Sequence, residues 1–586
     1  MRTMKRGGFI LVAAILLALS MSCARTAGPV TTPSLSASDP GWVARTMKKM
    51  TLEEKIGQLV TPRFSQAFLS ADGDALKEYE GLVRDRGIGG IILSAGEPYE
   101  TAILLNRLQR LAKVPLLISA DLESGTGSKI GGATLFPPLM SLGAAGSEEL
   151  AYAMGRVTAL EARAVGIHQD YAPVVDVNVN PDNPIINTRS VGEDPEYVSR
   201  MAVAFVKGAQ ENGLIATAKH FPGHGDTAVD SHRQLPTITA DRARLDKVEL
   251  LPFKRVIDAG IQSIMTAHLA VPALDPTADL PATLSPAITA GLLRKDMGFK
   301  GLIVTDALDM GGVTNAFTPE DSSLRALMAG ADVILMPPTP IKVMAYLAEA
   351  VRSGRVPMAR VDESVRRILE AKARLGLNKY RTVDVDALPF KLGTKANLAQ
   401  AMKVFEGAAT LVKNEGGLLP LAAVGKRIAV FALSSDLGDY HAGQAFVNAM
   451  MKKNPWCEAY FADGDTGRES LGEAEAKAAG ADAVVFALFS TLRSWKGTVD
   501  LDPKHIELVK RVAAGGTPVI VVSFGSPYFL RHFPDVDAYL CMYRNTPQTQ
   551  EIAARALFGE LALKGKLPVS MPGLYPAGHG LTLDKS

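Results

Sequence analysis

Residues 214–232 read LIATAKHFPGHGDTAVDSH, an apolar run that ends in a crowded polar loop. The run up to Phe221 is short and mostly apolar, which indicates a buried strand. Pro222, Gly223 and Gly225 are incompatible with a regular helix, so the chain leaves the strand in a loop. A loop rich in ionisable residues at the carboxyl end of a buried strand is typical of the catalytic face of an α/β barrel.

Similar apolar runs recur along the first two thirds of the chain at intervals that suit a closed barrel. Helical stretches lie between most of them, such as 149–165 and 195–212, and Thr51 with Glu54 forms a capping box that opens the first helix. This alternation favours parallel strands joined by crossover helices. The sequence therefore predicts an α/β protein whose residues 41–380 form a (β/α)8 TIM-type barrel. The predicted strands are 56–64, 88–93, 114–123, 170–177, 214–221, 261–269, 300–308 and 331–338.

A second α/β pattern occupies the last third of the chain. Residues 381–400 are polar and poor in helix signals, and we interpret them as a linker. Continuous apolar strands follow at 427–433, 481–489 and 517–525, separated by helical stretches. Strands of this kind are buried on both faces. Residues 401–586 are therefore predicted to form a separate αβα sandwich domain.

The N-terminus carries an export signal. Three basic residues among the first six precede an apolar run at 9–21, so we interpret residues 1–22 as a signal peptide. Cys23 resembles the acylated cysteine of bacterial lipoproteins, and residues 23–40 would then be a tether. An ordinary signal peptide with an incidental cysteine is the alternative. The lipoprotein interpretation predicts a periplasmic or cell-surface protein that meets the membrane only through its lipid anchor.

Charge and cysteine content limit the partners of this chain. Its 586 residues carry 63 Lys and Arg against 61 Asp and Glu, a net charge of +2. Such a balance creates no field that would attract nucleic acid, so a small or neutral partner is expected. Cys457 and Cys541 are too few for a disulfide framework or a zinc site with four cysteine ligands.

Three interpretations compete for the polar loop. His220 and His224, with Asp226, Asp230 and His232, could hold a metal, but a broken helix removes the shared face of the histidine pair. The loop could instead be structural, its histidines only bonding backbone groups. Alternatively, Asp230 orients the imidazole of His232 and stabilises its charged form, which gives a proton donor near neutral pH.

A carboxylate stands at a matching position after another strand. In GLIVTDALDM, residues 301–310, the apolar run stops at Thr305, and Asp306 is the first charged residue beyond it. This places Asp306 at the rim of the same barrel face. A helix N-cap is the alternative role for such a residue, and position alone leaves both open.

The motifs resemble those of glycoside hydrolase family 3, in particular its bacterial β-N-acetylglucosaminidases. The His-rich stretch is the most specific of them, because family β-glucosidases generally lack its Asp-Ser-His ending. The resemblance extends over nearly the whole mature chain. Its motifs are MTLEEKIGQL (50–59), YAPVVDVN (171–178), TRSVGEDP (188–195), KHFPGHGDTAVDSH (219–232) and VTDALDM (304–310), with TLVKNEGGLLPL (410–421) and LKGKLPVSMPG (563–573) in the second domain.

The resemblance implies a role for individual residues. It makes Asp306 the nucleophile, His232 the acid/base and Asp230 its orienting partner, in a reaction that retains β-configuration and uses no cofactor or metal. The further sugar contacts that it implies are Asp121, Lys129, Arg189, Lys219 and His220.

One loop departs from the family pattern. Where the family commonly has Asp-Gln-Glu-Gly-Gly-Arg-Val and a second arginine, residues 121–129 read DLESGTGSK. Thr126 replaces one arginine, and Lys129 stands for the other. Lysine lacks the planar guanidinium fork, so recognition of anions by this loop is expected to differ.

The sequence thus predicts an exo-acting retaining β-N-acetylglucosaminidase that removes terminal GlcNAc from peptidoglycan-derived fragments. A phosphorylase is the first alternative, because a histidine acid/base does not repel incoming phosphate. A β-glucosidase of the same family and a non-catalytic sugar-binding lipoprotein are the others. The sequence leaves the oligomeric state and the role of the second domain open.

Overall fold

The structure of the protein is a computed structural model that describes residues 34–64, 69–70, 72–422, 425–439, 441–490, 498 and 500–585. The predicted signal peptide, Cys23 and most of the predicted tether lie outside the described residues. The described end of the tether contacts the barrel, since the amides of Leu35 and Ser36 donate to the carbonyls of Gln210 (3.4 Å) and Arg374 (2.9 Å). None of the helices in the described ranges is both long and apolar enough to cross a bilayer.

The first domain is built on short parallel strands that are buried almost throughout. Ile215–Phe221 is the longest of them, and every one of its residues is buried, as its apolar sequence predicts. The strands are β1 Val60–Thr61, β2 Arg63–Phe64, β3 Gly90–Leu93, β4 Leu117–Ala120, β5 Gln169–Asp170, β6 Ile215–Phe221, β7 Ser263–Thr266, β8 Leu302–Val304 and β9 Ile334–Leu335.

These strands close into a ring. Hydrogen-bonded neighbours follow chain order from β2 to β8, all of them parallel. Val304 at the end of β8 bridges to Val333, just before β9, and β9 pairs with β1, Val60 lying opposite Ile334. Pro62 separates β1 from β2 because it has no N–H to donate to the ladder. The two pieces act as one interrupted strand, and the predicted (β/α)8 barrel is confirmed.

The fourth predicted strand differs from its prediction. A strand was expected at 170–177, but β5 covers only Gln169–Asp170. Pro173 interrupts the ladder beyond it, and pairing resumes only as an isolated bridge between Val174 and Lys219. The irregular segment that results carries Asp176, whose carboxylate contacts His220 at the end of β6.

Helices cover the outside of the barrel and begin where the sequence supplies caps. Thr51 and Glu54 form the predicted capping box, and Ser147 and Asp194 cap the two long helices that follow β4 and β5. The helices are α1 Pro40–Lys49, α2 Leu52–Gln58, α3 Asp74–Arg84, α4 Pro98–Leu111, α5 Leu139–Ala145, α6 Glu148–Val165, α7 Pro195–Gln210, α8 Arg242–Lys247, α9 Leu251–Asp258, α10 Gly311–Thr314, α11 Pro319–Ala329, α12 Pro340–Arg352 and α13 Met358–Arg374, with a π-helix at Ala287–Asp296.

The second domain is a sheet with helices on both faces. Alternate residues of its central strand pack into different cores: Val430 and Ala432 face one core, Phe431 and Leu433 the other. Its elements are α14 Lys395–Ala408, β10 Thr410–Asn414, β11 Ile428–Ser434, α15 Gln444–Lys453, β12 Cys457–Ala462, α16 Arg468–Ala478, β13 Ala483–Phe489, α17 Pro503–Ala514, β14 Val519–Ser523, β15 Ala538–Cys541 and α18 Pro547–Leu557.

The order of strands in this sheet is β10-β15-β14-β13-β11-β12, parallel except for β10. Three of its strands were predicted at 427–433, 481–489 and 517–525, and they form β11, β13 and β14. The sequence analysis missed β10, β12 and β15. Helix α14 also begins inside the stretch that we interpreted as a linker.

The segment LKGKLPVSMPG (563–573) joins the two domains. The amide of Lys566 donates to the carbonyl of Ala144 on α5 (3.0 Å), and the amide of Glu193 donates to the carbonyl of Pro568 (3.2 Å). The carboxylate of Glu193 accepts from the amide and hydroxyl of Ser570 (2.7 and 2.6 Å). These bonds bring the second domain against the loops at the carboxyl ends of the barrel strands.

Candidate active site

A cleft of about 710 Å³ opens at the carboxyl ends of the barrel strands. Its volume suits a sugar and part of an attached group. All the residues predicted to contact substrate line it, together with residues of the second domain. The predicted lining residues are Asp121, Lys129, Arg189, Lys219, His220, His232 and Asp306; those of the second domain are Ser490, Phe524, Gly525, Ser526, Tyr543, Arg544 and Asn545.

Asp306 lies two residues beyond β8. Its Oδ1 accepts from the amide of Ala307 (2.8 Å), and its own amide donates to the carbonyl of Thr266 (3.1 Å). Burial raises the pKa of this carboxyl. Three nearby imidazoles and the Ala307 amide together lower it by more, so the pKa lies below its usual value. The next helix begins at Gly311 with Met310 as N-cap, so Asp306 does not cap it. Asp306 is therefore an ionised carboxylate facing the cleft.

Asp230 and His232 form a hydrogen-bonded pair at the same cleft. Asp230 Oδ1 accepts from both the amide and Nδ1 of His232, each at 2.9 Å. The side chain of Asp230 is 1% exposed and that of His232 is 20% exposed. A carboxylate can only accept, so Nδ1 carries a proton and the ring is fixed in one orientation.

The loop after β6 is docked directly on the start of α10. The amides of Gly311 and Gly312 donate to the carbonyls of His232 (2.9 Å) and Ser231 (3.0 Å). A Cβ on Gly311 would lie 2.5 Å from the carbonyl oxygen of Arg233 and 2.8 Å from that of His232. Only glycine allows this approach, which fixes the position of His232 relative to Asp306.

If His232 takes part in the reaction, we expect Gly311→Ala to lower kcat/KM by about 10-fold or more, because a small displacement of a reacting group has large effects. The Cβ must push the His232 loop away from α10. Gly472→Ala is the matched control, since a Cβ there meets nothing within 4 Å. The control should keep full activity, while full activity in Gly311→Ala would contradict the role of this contact.

The other two histidines of the loop are held by protein partners. His220 Nδ1 donates to Asp176 Oδ2 (2.7 Å), and His224 bonds Thr227 (2.9 Å) and Ser231 (2.9 Å) through its two ring nitrogens. Burial, reinforced by repulsion from His220, lowers the pKa of His224 to about 4, so this imidazole is neutral. His224 thus shapes the loop, and His220 reaches the cleft with its other edge.

Two acidic residues after β4 hold the cationic wall of the cleft. Lys219 Nζ donates to Asp121 (2.8 Å) and pairs with Glu123 (2.7 Å), while Arg189 binds Glu123 through Nε (2.9 Å) and Nη2 (2.7 Å). Burial raises the pKa of Glu123, but Arg189 and Lys219 overcome it and hold that pKa well below its usual value. The four side chains form a charged, prearranged surface for sugar hydroxyls.

The loop at 121–129, whose sequence differs from the family pattern, contacts a cation of the second domain. Thr126, in the place of a family arginine, is buried and donates to the carbonyl of Thr158 (3.0 Å), away from the cleft. Lys129 lines the cleft. Across the domain boundary, Arg544 Nη1 donates to the hydroxyl of Ser124 (2.6 Å). The second domain therefore supplies this loop with a guanidinium in addition to that of Arg189.

Sequence reasoning missed several residues that build this site. Glu123 and Asp176 are the carboxylates that position the predicted cations and His220, and His268 Nε2 donates to the carbonyl of Ala307 (3.0 Å) beside Asp306. Asp176 lies within the quoted YAPVVDVN motif, so a signal for it existed. Arg544 gave no signal, because it is about 420 positions from the residue it contacts.

The fold and the cleft together define a two-domain α/β-barrel enzyme that acts on sugars: a glycoside hydrolase. An ionised carboxylate, a fixed Asp–His pair and a wall of paired cations meet at the catalytic face of its barrel. The sequence model of the glycosyl hydrolase family 3 N-terminal domain matches residues 51–371, and that of the family 3 C-terminal domain matches residues 409–577. The chain belongs to glycosyl hydrolase family 3.

Individual relatives agree with this assignment. A beta-N-acetylglucosaminidase/beta-glucosidase of Cellulomonas fimi is 31% identical over 92% of this chain and 98% of its own length. The solved structure of a family 3 beta-N-acetylglucosaminidase from Paenibacillus sp. str. FPU-7 has a TM-score of 0.80 and 33% identity, covering 89% of this chain and 99% of that one. A solved beta-glucoside phosphorylase also has a TM-score of 0.80, at 26% identity over 91% of this chain and 96% of its own.

Proposed function

We propose that this protein is an exo-acting, retaining β-N-acetylglucosaminidase. The observation that carries the proposal is the hydrogen-bonded Asp230–His232 pair, which lies at the same cleft as the ionised Asp306. An imidazole fixed by a carboxylate is a proton donor and acceptor suited to neutral pH. The names of the Cellulomonas relative and of the Paenibacillus structure support GlcNAc as the donor sugar.

In the first step, the glycosidic bond is exchanged for a bond to the enzyme. Because Nδ1 of His232 donates to Asp230, the proton given to the glycosidic oxygen is the one on Nε2. The bond between C1 and that oxygen breaks, and Asp306 forms an ester with C1 from the opposite face. The low pKa of Asp306 keeps this carboxylate ionised and ready to attack.

In the second step, water releases the sugar. Neutral His232 takes a proton from water, whose oxygen attacks C1 and displaces Asp306. Two inversions at C1 leave the β-configuration unchanged. Asp230 remains a positioning residue throughout: its carboxylate orients the ring and stabilises the imidazolium form.

The paired cations provide the sugar-binding surface. Lys219 and Arg189 are locked by Glu123, so they lose little freedom when sugar hydroxyls replace water. Asp121, whose side chain is 39% exposed, can accept from a hydroxyl while it still binds Lys219. GlcNAc at the end of a peptidoglycan-derived fragment is the substrate we propose for this surface.

Assays on aryl β-GlcNAc and aryl β-glucoside, each with and without inorganic phosphate, test the proposal. We expect faster turnover of the GlcNAc substrate and release of free β-GlcNAc as the first product, seen by proton NMR. Preference for the glucoside would identify a β-glucosidase. Formation of GlcNAc-1-phosphate would identify a phosphorylase, a function that the similarity to the phosphorylase structure keeps open. No turnover of either glycoside would favour a sugar-binding lipoprotein.

The proposed location is the periplasm or cell surface, with an acyl anchor on Cys23. This part of the proposal rests on the sequence of the first 40 residues. We expect wild-type protein to fractionate with membranes and to incorporate labelled palmitate, and Cys23→Ser to become soluble and unlabelled. A soluble, unlabelled wild type would show that Cys23 is incidental.

A further inference from the structure

Arg544 lies in a tightly constrained loop of the second domain. The loop follows β15, and Tyr543 has a φ of 61°, a left-handed conformation that is strained for a bulky residue. Its buried phenol donates to Thr410 Oγ1 (2.9 Å), and Thr546 and Thr549 cap the following helix reciprocally. Such a conformation persists only where the surroundings enforce it. The structure thus fixes the direction in which Arg544 leaves the loop.

The guanidinium of Arg544 reaches the cleft with most of its donors uncommitted. Nη1 donates to Ser124 Oγ (2.6 Å), and no carboxylate of the described residues lies within ion-pair distance of Arg544. An arginine has five N–H donors, so further ones are available to a ligand. Arg189, in contrast, already donates to Glu123 through Nε and Nη2.

The position of Ser124 shows which end of a bound sugar Arg544 would meet. Ser124 directly follows Glu123, the residue that holds Lys219 and Arg189 on the hydroxyl-binding wall. Asp306 and His232 occupy the wall built by β8, α10 and the loop after β6. In a pyranose, the C4 and C6 oxygens lie across the ring from C1. Ser124 follows β4, which lies opposite β8 in the ring of strands, so with C1 at Asp306 the Arg544 side chain lies toward the non-reducing end of the sugar.

We propose that the second domain completes the donor-sugar subsite, Arg544 donating hydrogen bonds to the C4 or C6 oxygen of the terminal sugar. This proposal rests on the glycosidase function proposed above. It gives the second domain a direct part in specificity: it recognises the terminal residue of the glycan and closes the cleft beyond it. Arg544 is then a specificity-determining residue.

Kinetics of Arg544→Gln on deoxy substrates test this role. The substrates are aryl β-GlcNAc and its 4-deoxy and 6-deoxy analogues. A hydrogen bond from a charged donor supports an expected loss in kcat/KM of about 10- to 100-fold on the parent substrate. On the analogue that lacks the contacted oxygen, the wild type should already have a low kcat/KM. On that analogue, the kcat/KM of Arg544→Gln should be no more than about 2-fold below that of wild type. Arg544→Lys, which retains the charge, should recover part of the loss.

Arg531→Gln is the matched control. Arg531 also reaches from the second domain to the barrel, where it pairs with Asp182, but it does not line the cleft. Arg531→Gln should leave the ratios of kcat/KM among the three substrates the same as in wild type. Thermal unfolding should confirm that each variant is folded. Equal losses for Arg544→Gln on all three substrates, or no loss, would overturn the proposal.

The role of Arg544 can be tested independently of whether GlcNAc is the donor sugar. Glucose and GlcNAc share the C4 and C6 oxygens, so the same comparison can be made with aryl β-glucosides if those are the better substrates. Lack of turnover on either series would contradict the glycosidase function. In that case the binding of GlcNAc and its 4-deoxy and 6-deoxy analogues, measured by calorimetry on wild type and Arg544→Gln, decides the role of Arg544 by the same pattern of losses.

Discussion

Asp306→Ala should abolish turnover, lowering kcat by at least about 10⁴-fold, while the barrel stays folded. The carboxylate forms the covalent bond to C1 in the proposed mechanism, so the variant lacks the nucleophile. The contribution of Asp306 to folding is small, because within the described residues the carboxylate accepts a single hydrogen bond, from the neighbouring Ala307 amide. Initial rates on aryl β-GlcNAc, with thermal unfolding of both proteins, measure the two effects.

A carboxylate far from the cleft provides the control for this prediction. Asp362 pairs with Lys55 (2.7 Å) between α13 and α2, away from the site. Asp362→Ala should keep normal kcat and lose about 1 kcal/mol of stability or less. If Asp306→Ala were as active as Asp362→Ala, the nucleophile would have to be another residue. Trapping with a 2-fluoro glycoside, followed by peptide mass mapping, would identify it.

Most of the barrel could be predicted because both faces of its strands are buried. β3 and β8 consist of buried residues throughout, so their sequences are continuous apolar runs that stand out from the helices. β5 was overestimated because its apolar run continues past the point where Pro173 ends the ladder. An apolar sequence indicates that a segment is buried. Regular strand pairing also needs backbone N–H donors, and proline has none.

Two of the three strands that were missed in the second domain, β10 and β12, lack that signal, whereas β15 is buried throughout but is only four residues long. β12 has exposed residues at Glu458 and Phe461, since it lies at the edge of the sheet. β10 is antiparallel and only half-buried at Lys413 and Asn414, so its apolar run is short. An edge strand is defined by the neighbour it pairs with, and that neighbour is not visible in a short window of sequence.

The sequence was enough to locate the candidate reactive groups that line the cleft, but not most of the residues that hold them. Asp306 and His232 belong to short motifs at the ends of strands, where barrels place catalytic residues. Glu123 and Arg544 act by approaching residues that are distant in sequence, such as Arg189 and Ser124. Such contacts follow from barrel closure and domain docking, which local periodicity does not report.

His232→Ala should be most harmful with poor leaving groups. A natural sugar aglycone needs a proton to depart, whereas an activated phenolate needs little, so the loss in kcat/KM should be far larger on the natural disaccharide. General acid/base help is worth about 10²- to 10⁴-fold, which sets the expected loss on the poor substrate. Rates on a series of aryl β-GlcNAc substrates with leaving groups of increasing pKa measure this dependence.

Asp230→Ala should show the same leaving-group dependence with a smaller loss. It removes the carboxylate that fixes Nδ1 of His232 but leaves the imidazole in the cleft. The exposed His441, which lies in the second domain and does not line the cleft, is the matched control. His441→Ala should behave as wild type on every member of the series.

Release of the sugar from Asp306 gives the second half of this test. Without His232 no base activates water, so the ester should accumulate with activated substrates, and added azide, which needs no base, should restore turnover. Attack from the face that the aglycone left would yield a β-glycosyl azide, because the reaction retains configuration. Equal losses on good and poor leaving groups, with no rescue by azide, would mean that His232 only shapes the loop. The proton would then come from another residue of the cleft. Asp309 would be the first residue to mutate, because burial and the charge of Asp306 raise the pKa of its carboxyl.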